Sequence, residues 1–410
     1  MKIFMLGWEF PPFFAGGVGV VCYQLSKYLS KRGIEVNFVM PSGPKEAESD
    51  FVNLIIANNL VSDKNIHIKK IDSLLMPYIT SEGYLNLLKN KLMFKDFGST
   101  GEIYGENLFA EIERFKEKLL IIGKNMEFDV IHAHDWVTFP AAVALKEATG
   151  KPLIVHIHIT EFDKTGGVHA DPGVYRIEKT GMDKADVIIA ISNFIKNRLT
   201  DKYYVDPAKI KVIHNAAEIP EKDYKTSHKI NENDKVVLFV GRITLQKGPD
   251  YFVEAAKKIV EKEPNVKFVM TGSGDMFPQI INKVAELGLT NKFIFPGFLN
   301  REQVFRLYSM ADVFIMPSVS EPFGLVPLEA MASKTPAIIS KQSGVSEIVG
   351  HVIKVDFWDV NDIAAKTLAI LKYQTLNNEL KKHGSMEVKM LNWDIPAQKC
   401  IELYNQLVYH

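Results

Sequence analysis

Short apolar runs alternate with amphipathic stretches along most of this 410-residue chain. The runs KIFMLGW (residues 2–8) and EVNFVM (35–40) are separated by a stretch with helical periodicity. Repeated along a chain, that order is the pattern of βαβ units, in which helices connect neighbouring parallel strands. The sequence therefore predicts an α/β fold built on parallel sheets.

The stretch VGVVCYQLSKYLSKRG (18–33) shows the helical periodicity most clearly. Val18, Cys22 and Leu29 fall on one face of a helix, and Gly33 follows where the helix would end. We therefore expect this helix to cover the first sheet with Cys22 in the core.

A polar stretch, EIPEKDYKTSHKINENDK (218–235), divides the strand and helix candidates into two series. Residues 1–218 are predicted to form a first α/β domain, and residues 219–391 a second. In open parallel sheets, ligands bind beyond the carboxyl ends of the strands. Two such sheets facing each other would enclose a deep cleft between the domains.

Two segments depart from this simple alternation. Residues 45–128 are less regular, with helical stretches near 82–95 and 106–125, and we interpret them as an insertion in the first domain. Residues 392–410 form an amphipathic helix that we expect to pack back toward the first domain.

The overall charge excludes some classes of partner. Lysine plus arginine and aspartate plus glutamate number 49 each, so the net charge is zero. That balance gives no general attraction to nucleic acid or to an anionic membrane. Two cysteines, Cys22 and Cys400, provide no disulfide framework, and no apolar run approaches about 18 residues. We expect a cytoplasmic protein without a transmembrane segment, and its oligomeric state stays open.

Glycine-rich loops follow strand candidates in both halves. In the loop AGGVG, Gly16 and Gly17 would let backbone N–H groups at a helix start approach an anion. The loop lacks the third glycine of the dinucleotide fingerprint, which argues against a nicotinamide cofactor. In the loop TGSGD, Gly272 and Gly274 would bring the backbone close to a flat ligand such as a base, or form an ordinary turn.

A second loop, GRITLQKG, places Arg242 and Lys247 between a strand and a helix. It is not a Walker A loop, because glycine rather than serine or threonine follows the lysine. Two cations at a strand end suit a diphosphate whose negative charge grows as it departs. A pair of solvated surface charges is the alternative.

Histidines recur at two strand ends, in DVIHAHDW and PLIVHIHITEFDK. His132 and His134 point to the same face of a strand, because side chains repeat every two residues. His156 and His158 repeat the spacing. No H-E-x-x-H or Asp-x-Asp occurs, so we expect no metal and no cofactor. A neutral histidine that donates a hydrogen bond to a substrate fits better.

The stretch SVSEPFGLVPLEAMASKTP sets Glu321 and Glu329 eight positions apart across a loop-to-helix junction. An ordinary capped helix with a solvated glutamate is one interpretation. The other is a site that binds a polar ligand at the helix start.

Together these motifs resemble the retaining glycosyltransferases of GT-B fold. SEPFGLVPLEA matches their E-x₇-E signature, and GRITLQKG matches their G-R-x₄-K-G phosphate loop. GWEFPP…GGVG, HAHDW and TEFDK are similar to the group close to glycogen and starch synthases. The resemblance implies two doubly wound Rossmann-like domains that face a deep interdomain cleft. Residues 1–218 would form the acceptor-side domain, and residues 219–391 the domain that binds the nucleotide sugar.

The resemblance also implies a role for particular residues. Arg242 and Lys247 would hold the diphosphate of a nucleotide sugar, while Glu321 approaches the sugar hydroxyls and His134 contacts the sugar near its anomeric carbon. Glu329 would contact the ribose. The remaining donor contacts would come from the backbone of Gly16, Gly17, Gly324, Leu325 and Val326.

The implied activity is transfer of glucose from ADP- or UDP-glucose to an α-glucan acceptor, with retention of anomeric configuration. Transfer to another acceptor, such as a lipid, a sugar phosphate or a cell-envelope glycan, is the first alternative. A nucleotide-sugar epimerase of the same architecture is the second.

Overall fold

The computed structural model describes residues 1–11, 16–41, 49–57, 108–220, 224 and 234–409. Within them, two all-parallel sheets carry the fold, one from each half of the chain. The first sheet has the strand order β3-β2-β1-β4-β5-β6-β7, and the second has the order β10-β9-β8-β11-β12-β13. The strands are Lys2–Leu6 (β1), Glu35–Met40 (β2), Asn53–Ile56 (β3), Val130–His134 (β4), Leu153–Ile157 (β5), Val187–Ala190 (β6), Ile210–Val212 (β7), Lys235–Val240 (β8), Val266–Thr271 (β9), Phe293–Gly297 (β10), Val313–Met316 (β11), Ala337–Ser340 (β12) and Ile353–Val355 (β13).

Helices connect the strands, as parallel pairing requires. The helices are Gly17–Lys31 (α1), Leu108–Lys124 (α2), Phe139–Thr149 (α3), Glu161–Lys164 (α4), Pro172–Lys184 (α5), Asn193–Tyr203 (α6), Pro249–Val260 (α7), Phe277–Glu286 (α8), Arg301–Met310 (α9), Val326–Ala332 (α10), Val360–Lys372 (α11), Gln374–Met390 (α12) and Asp394–Tyr409 (α13). No helix among the described residues is both long and apolar enough to cross a bilayer.

The central strands are buried along their whole length, which explains their uninterrupted apolar sequences. Every residue of β4, β5 and β11 is buried. Cys22 lies in the core on α1, as the helical pattern predicts, and both it and Cys400 are free thiols.

The sheets reverse direction at equivalent places. In the first sheet, β1 lies between β2 and β4, and in the second, β8 lies between β9 and β11. The chain therefore winds outward in both directions from the β1/β4 and β8/β11 pairs. Such a switch point opens a crevice beyond the strand ends, where ligands of open α/β sheets bind.

Part of the segment 45–128 belongs to the first sheet rather than to an insertion. β3 pairs in parallel register with β2 at the sheet edge, and α2 packs against α3. These two elements are thus integral to the first α/β unit, and the interpretation as an insertion is wrong for them. The helical stretch expected near 82–95 lies outside the described residues.

The last helix, α13, lies on the first half of the chain. It packs against α1, where Arg32 binds Asp394 and Gln398. Further along α13, the buried hydroxyl of Tyr404 contacts Nδ1 of His132 at 2.6 Å. The chain therefore runs through the second sheet and returns to the first.

Candidate active site

The residues singled out from the sequence lie at the two switch points. Gly16 and Gly17 follow β1, and His134 ends β4, so both sides of the first switch point carry predicted site residues. In the second sheet, the loop with Arg242 follows β8, and the loop with Glu321 follows β11. The topology thus explains why motifs far apart in sequence can meet.

Lys247 and Glu321 form a direct ion pair. Lys247 closes a single 3₁₀ turn after β8, and its Nζ lies 2.5 Å from Oε2 of Glu321. The hydroxyl of Ser318 also donates to this carboxylate, at 3.3 Å. Both charged side chains are largely buried, so the low local dielectric strengthens their attraction.

The backbone holds the two loops of the second half together. The carbonyl of Gln246 accepts hydrogen bonds from the N–H groups of Val319, at 2.9 Å, and Ser320, at 3.4 Å. The Gln246 side chain in turn accepts a hydrogen bond from the Arg242 guanidinium at 2.9 Å. The loop that carries Arg242 and Lys247 and the loop that carries Glu321 are therefore hydrogen-bonded to each other.

Gly272 and Gly274 support these loops. Gly272 has a φ of +132°, and a Cβ there would lie 1.9 Å from the carbonyl oxygen of Gly241. A Cβ on Gly274 would lie 2.2 Å from the carbonyl oxygen of Ile243. The two glycines allow the loop after β9 to touch the backbone of the loop that carries Arg242, a contact that the sequence alone did not indicate.

Helix α10 begins beside Glu321. Gly324 adopts a φ of +99°, Leu325 precedes the helix and Val326 is its first residue. Pro327 falls in the first turn, where its missing N–H leaves no broken helical bond. This helix start lies close to the Glu321 side chain, since a Cβ on Gly324 would be 3.1 Å from its Cγ.

Glu329 lies in the first turn of α10 and is engaged by other side chains. Its carboxylate is 3.3 Å from the guanidinium of Arg301 and accepts a hydrogen bond from the Tyr308 hydroxyl at 3.3 Å. Burial raises the pKa of Glu329, and the positive charge of Arg301 opposes that shift. Arg301 also pairs with Glu218, so two carboxylates share one cation.

The glycine loop after β1 encloses a carboxylate from the protein itself. The N–H groups of Gly16 and Gly19 donate to Oε2 of Glu9, at 2.9 and 2.8 Å. Burial raises the pKa of Glu9 to about 7, and the charge of Arg242 from the second half opposes that shift. The Gly16 N–H, predicted to reach the donor, is here bonded to Glu9, a residue that the sequence analysis did not single out.

Four histidines stack at the ends of β4 and β5. Nδ1 of His134 lies 2.8 Å from Nε2 of His158, and Nε2 of His132 lies 3.1 Å from Nδ1 of His156. Burial lowers the pKa of His132 and of His158 to about 3. Burial, together with the neighbouring histidines, also lowers the pKa of His134 and His156 well below its ordinary value, so all four rings are neutral at physiological pH.

Ring nitrogens of His132, His134 and His156 come within 4.8 Å of one another, close enough to consider a metal site. The rings are nearly parallel, however, with an interplanar angle of 13° between His132 and His134. Parallel rings direct their in-plane lone pairs along similar lines, whereas a tetrahedral metal needs lone pairs that converge. Both nitrogens of His132 are also within hydrogen-bond distance of Tyr404 and His156. The cluster fits a hydrogen-bonded stack better than a metal centre.

His134 has one ring nitrogen without a hydrogen-bond partner among the described residues. This nitrogen, Nε2, is buried. A buried polar nitrogen without a partner carries a desolvation cost of about 1–3 kcal/mol. A sugar hydroxyl at the first switch point would remove that cost.

The TEFD motif forms the short helix α4 directly after β5. Its first N–H, that of Glu161, donates to Oε1 of Glu178 at 2.9 Å, and the Tyr203 hydroxyl donates to the other oxygen of that carboxylate. Glu178 is buried on α5. A buried carboxyl group therefore holds the start of this turn.

Burial raises the pKa of Glu178 from its ordinary 4.5 to about 8. Between these two pH values the folded protein keeps a proton that the unfolded chain has released. The folded state therefore loses stability as pH rises from about 4.5 to about 8. We expect Glu178→Gln to remove this part of the pH dependence, measured as the free energy of unfolding in urea at pH about 5 and about 9.

Glu286→Gln, at an exposed position on α8, is the matched control and should follow the wild-type pH profile. If the free energy of unfolding of the Glu178→Gln protein changed with pH as it does in the wild type, Glu178 would not be the source of this pH dependence.

Comparisons with known proteins agree with this geometry. A family model described as glycosyl transferases group 1 matches residues 220–386, and one described as starch synthase catalytic domain matches residues 2–208. An uncharacterised glycosyltransferase of Methanocaldococcus jannaschii is 32% identical, with 98% of each chain covered. Glycogen synthase of Mycobacterium tuberculosis is 25% identical over 85% of this chain and 80% of its own length.

A solved structure gives the same architecture. Sucrose-phosphate synthase from Thermosynechococcus elongatus superposes with a TM-score of 0.77 at 22% identity, covering 99% of this chain and 98% of its own. The two parallel sheets and their switch points are thus those of the two-domain GT-B fold predicted from the motifs. The chain belongs to the glycogen and starch synthase-like group of GT-B glycosyltransferases, and it is a hexosyltransferase.

Proposed function

We propose that this enzyme transfers glucose from ADP- or UDP-glucose to an α-glucan with retention of configuration. The observation that carries the proposal is the buried Lys247–Glu321 pair, which lies beside Arg242 and the start of α10 at the second switch point. The similarity to a glycogen synthase supports the choice of acceptor.

Charge development in the reaction explains why these groups are needed. As the bond between the anomeric carbon and the diphosphate breaks, negative charge accumulates on the departing phosphate oxygen. Lys247, Arg242 and the N–H groups of Gly324, Leu325 and Val326 would stabilise that charge. Donors fixed before the reaction act most strongly where charge appears only in the transition state.

The remaining steps are those that the resemblance to retaining GT-B enzymes implies. The acceptor hydroxyl attacks the anomeric carbon from the face that the diphosphate leaves, and its proton passes to the leaving phosphate oxygen. One C–O bond breaks and one forms, and no covalent enzyme intermediate is needed. Glu321 would orient the sugar hydroxyls, and Nε2 of His134 would contact the sugar from the first domain.

The base of the donor would lie near the loop after β10. Phe298 is 81% exposed, directly after Gly297, and the Gly297 carbonyl accepts a hydrogen bond from the N–H of Gly272 at 3.1 Å. An exposed aromatic ring offers a surface on which a nucleotide base can stack. This residue would complete the flat subsite that Gly272 and Gly274 suggest.

A second acceptor class has specific support. One structural neighbour is named sucrose-phosphate synthase, and that name points to a sugar phosphate rather than a glucan. A nucleotide-sugar epimerase would act on the donor alone.

One assay separates these possibilities. ADP-, UDP- and GDP-glucose are each incubated with malto-oligosaccharides, with sugar phosphates or with no acceptor, and release of nucleoside diphosphate is followed. NMR of the product gives its anomeric configuration. We expect release that depends on malto-oligosaccharide, with an α-linked product, and no effect of a chelator. Epimerised sugar without any glycoside would contradict the proposal.

A further inference from the structure

The TEFD turn has no role in the mechanism above, yet it extends toward the second domain. Asp163 within it is fully buried, and its Oδ2 accepts hydrogen bonds from the N–H of Thr160, at 2.9 Å, and from the Thr160 hydroxyl, at 2.7 Å. The bond from the Thr160 N–H is one half of a capping box, whose other half joins the Asp163 N–H to the Thr160 side chain, and the box fixes the turn. The orientation of the Asp163 carboxylate is therefore set within the first domain.

The other carboxylate oxygen of Asp163 contacts a residue of the second domain. Oδ1 accepts a hydrogen bond from the hydroxyl of Ser320 at 3.0 Å and lies 3.4 Å from the guanidinium of Arg198. Ser320 is 1% exposed and directly precedes Glu321 in the chain. A hydrogen bond to a buried carboxylate is stronger than one between neutral groups.

This contact falls where the two catalytic loops join. The N–H groups of Val319 and Ser320 both donate to the carbonyl of Gln246, the neighbour of Lys247. The turn itself packs against the 3₁₀ segment that ends at Lys247. One carboxylate of the first domain therefore contacts the part of the second domain from which both Lys247 and Glu321 extend.

We propose that the Asp163–Ser320 hydrogen bond positions Glu321 and Lys247 for sugar transfer, so that Asp163 is a positioning residue supplied by the acceptor-side domain. The reaction in question rests on the proposed function. Small errors in the placement of reacting groups lower rates strongly, because the groups must be aligned before the bond breaks. The bond would give the second domain its competent loop geometry only when the first domain is in contact with it.

The test is Ser320→Ala, which removes one hydroxyl and leaves the capping box of the turn intact. We expect kcat to fall by about 10- to 100-fold, the effect of losing a hydrogen bond to a charged group, with little change in the KM for the donor. Peptides covering residues 318–326 should exchange amide hydrogen for deuterium faster than in the wild type.

Ser26→Ala is the matched control, since Ser26 is an equally buried serine on α1 whose hydroxyl donates to Sδ of Met5 within its own domain. It should leave kcat and the exchange of residues 318–326 unchanged. Asp163→Asn provides a second variant, and its effect on kcat should be non-additive with that of Ser320→Ala.

Three results would overturn the proposal: an unchanged kcat in the Ser320→Ala protein, unchanged exchange of residues 318–326, or additive effects of the two substitutions. The exchange measurement needs no substrate. If the wild type used none of the donors tested, the proposed function would fail, while the exchange data would still decide whether Asp163 holds this loop.

Discussion

Lys247→Ala should lower kcat at saturating donor by about 100- to 1,000-fold, the usual cost of removing one group that stabilises charge in a transition state. Lys247 forms an ion pair with Glu321, just before the start of α10. Its positive charge would act on the departing diphosphate. Because that interaction is strongest in the transition state, we expect the substitution to change kcat more than the KM for the donor. Steady-state release of nucleoside diphosphate measures both.

Two controls accompany this variant. Lys258→Ala removes an exposed lysine from α7 and should leave kcat unchanged. Circular dichroism and thermal unfolding show whether Lys247→Ala still folds, because the substitution leaves the carboxylate of Glu321 buried without its cation. Near-normal turnover at saturating donor in a folded Lys247→Ala protein would refute the role.

Glu321→Gln is the second substitution that we expect to lower kcat strongly. The substitution keeps the shape of the side chain and removes the charge that Lys247 and Ser318 contact. We expect kcat to fall by roughly 10- to 100-fold, the effect of losing hydrogen bonds to a charged group. Residues that act as a unit lose activity non-additively, so the double variant with Lys247→Ala should be about as slow as Lys247→Ala alone.

Glu329→Gln is the matched comparison for Glu321→Gln, because both are glutamates of the same signature whose side chains are largely shielded from solvent. Its expected contact is the ribose, which does not react. The KM for the donor should therefore rise while kcat changes little. Equal losses of kcat in the two variants would show that the signature does not divide its two carboxylates between sugar and ribose.

The sequence predicts the centre of each sheet better than its edges. The runs at β1, β4, β8 and β11 are apolar because these strands are buried on both faces. Three of the four edge strands, β3, β7 and β13, have only three or four residues, and the patterns NLII and IKV carry little periodicity. Their strand geometry depends on pairing with a neighbour, which a local pattern does not reveal.

In the candidate site, too, local motifs are predictable from the sequence, whereas contacts between distant residues are not. Motifs within one loop, such as the spacing of Arg242 and Lys247, indicate a phosphate site because the whole signal is local. Glu9 beneath the glycine loop and Asp163 against Ser320 are not predictable in this way. Asp163 and Ser320 are 157 residues apart, and their contact exists only because the two domains meet.

The return of α13 to the first domain means that the two halves cannot be separated by a single cut. A fragment ending near residue 220 would lack the hydroxyl that caps the histidine stack and would expose the side of α1 that this helix covers. We expect such a truncated polypeptide to aggregate when produced alone and to be rescued by co-expression with the complementary piece. A chimera that exchanges the second domain between relatives would therefore need to keep α13 from the same protein as the first domain.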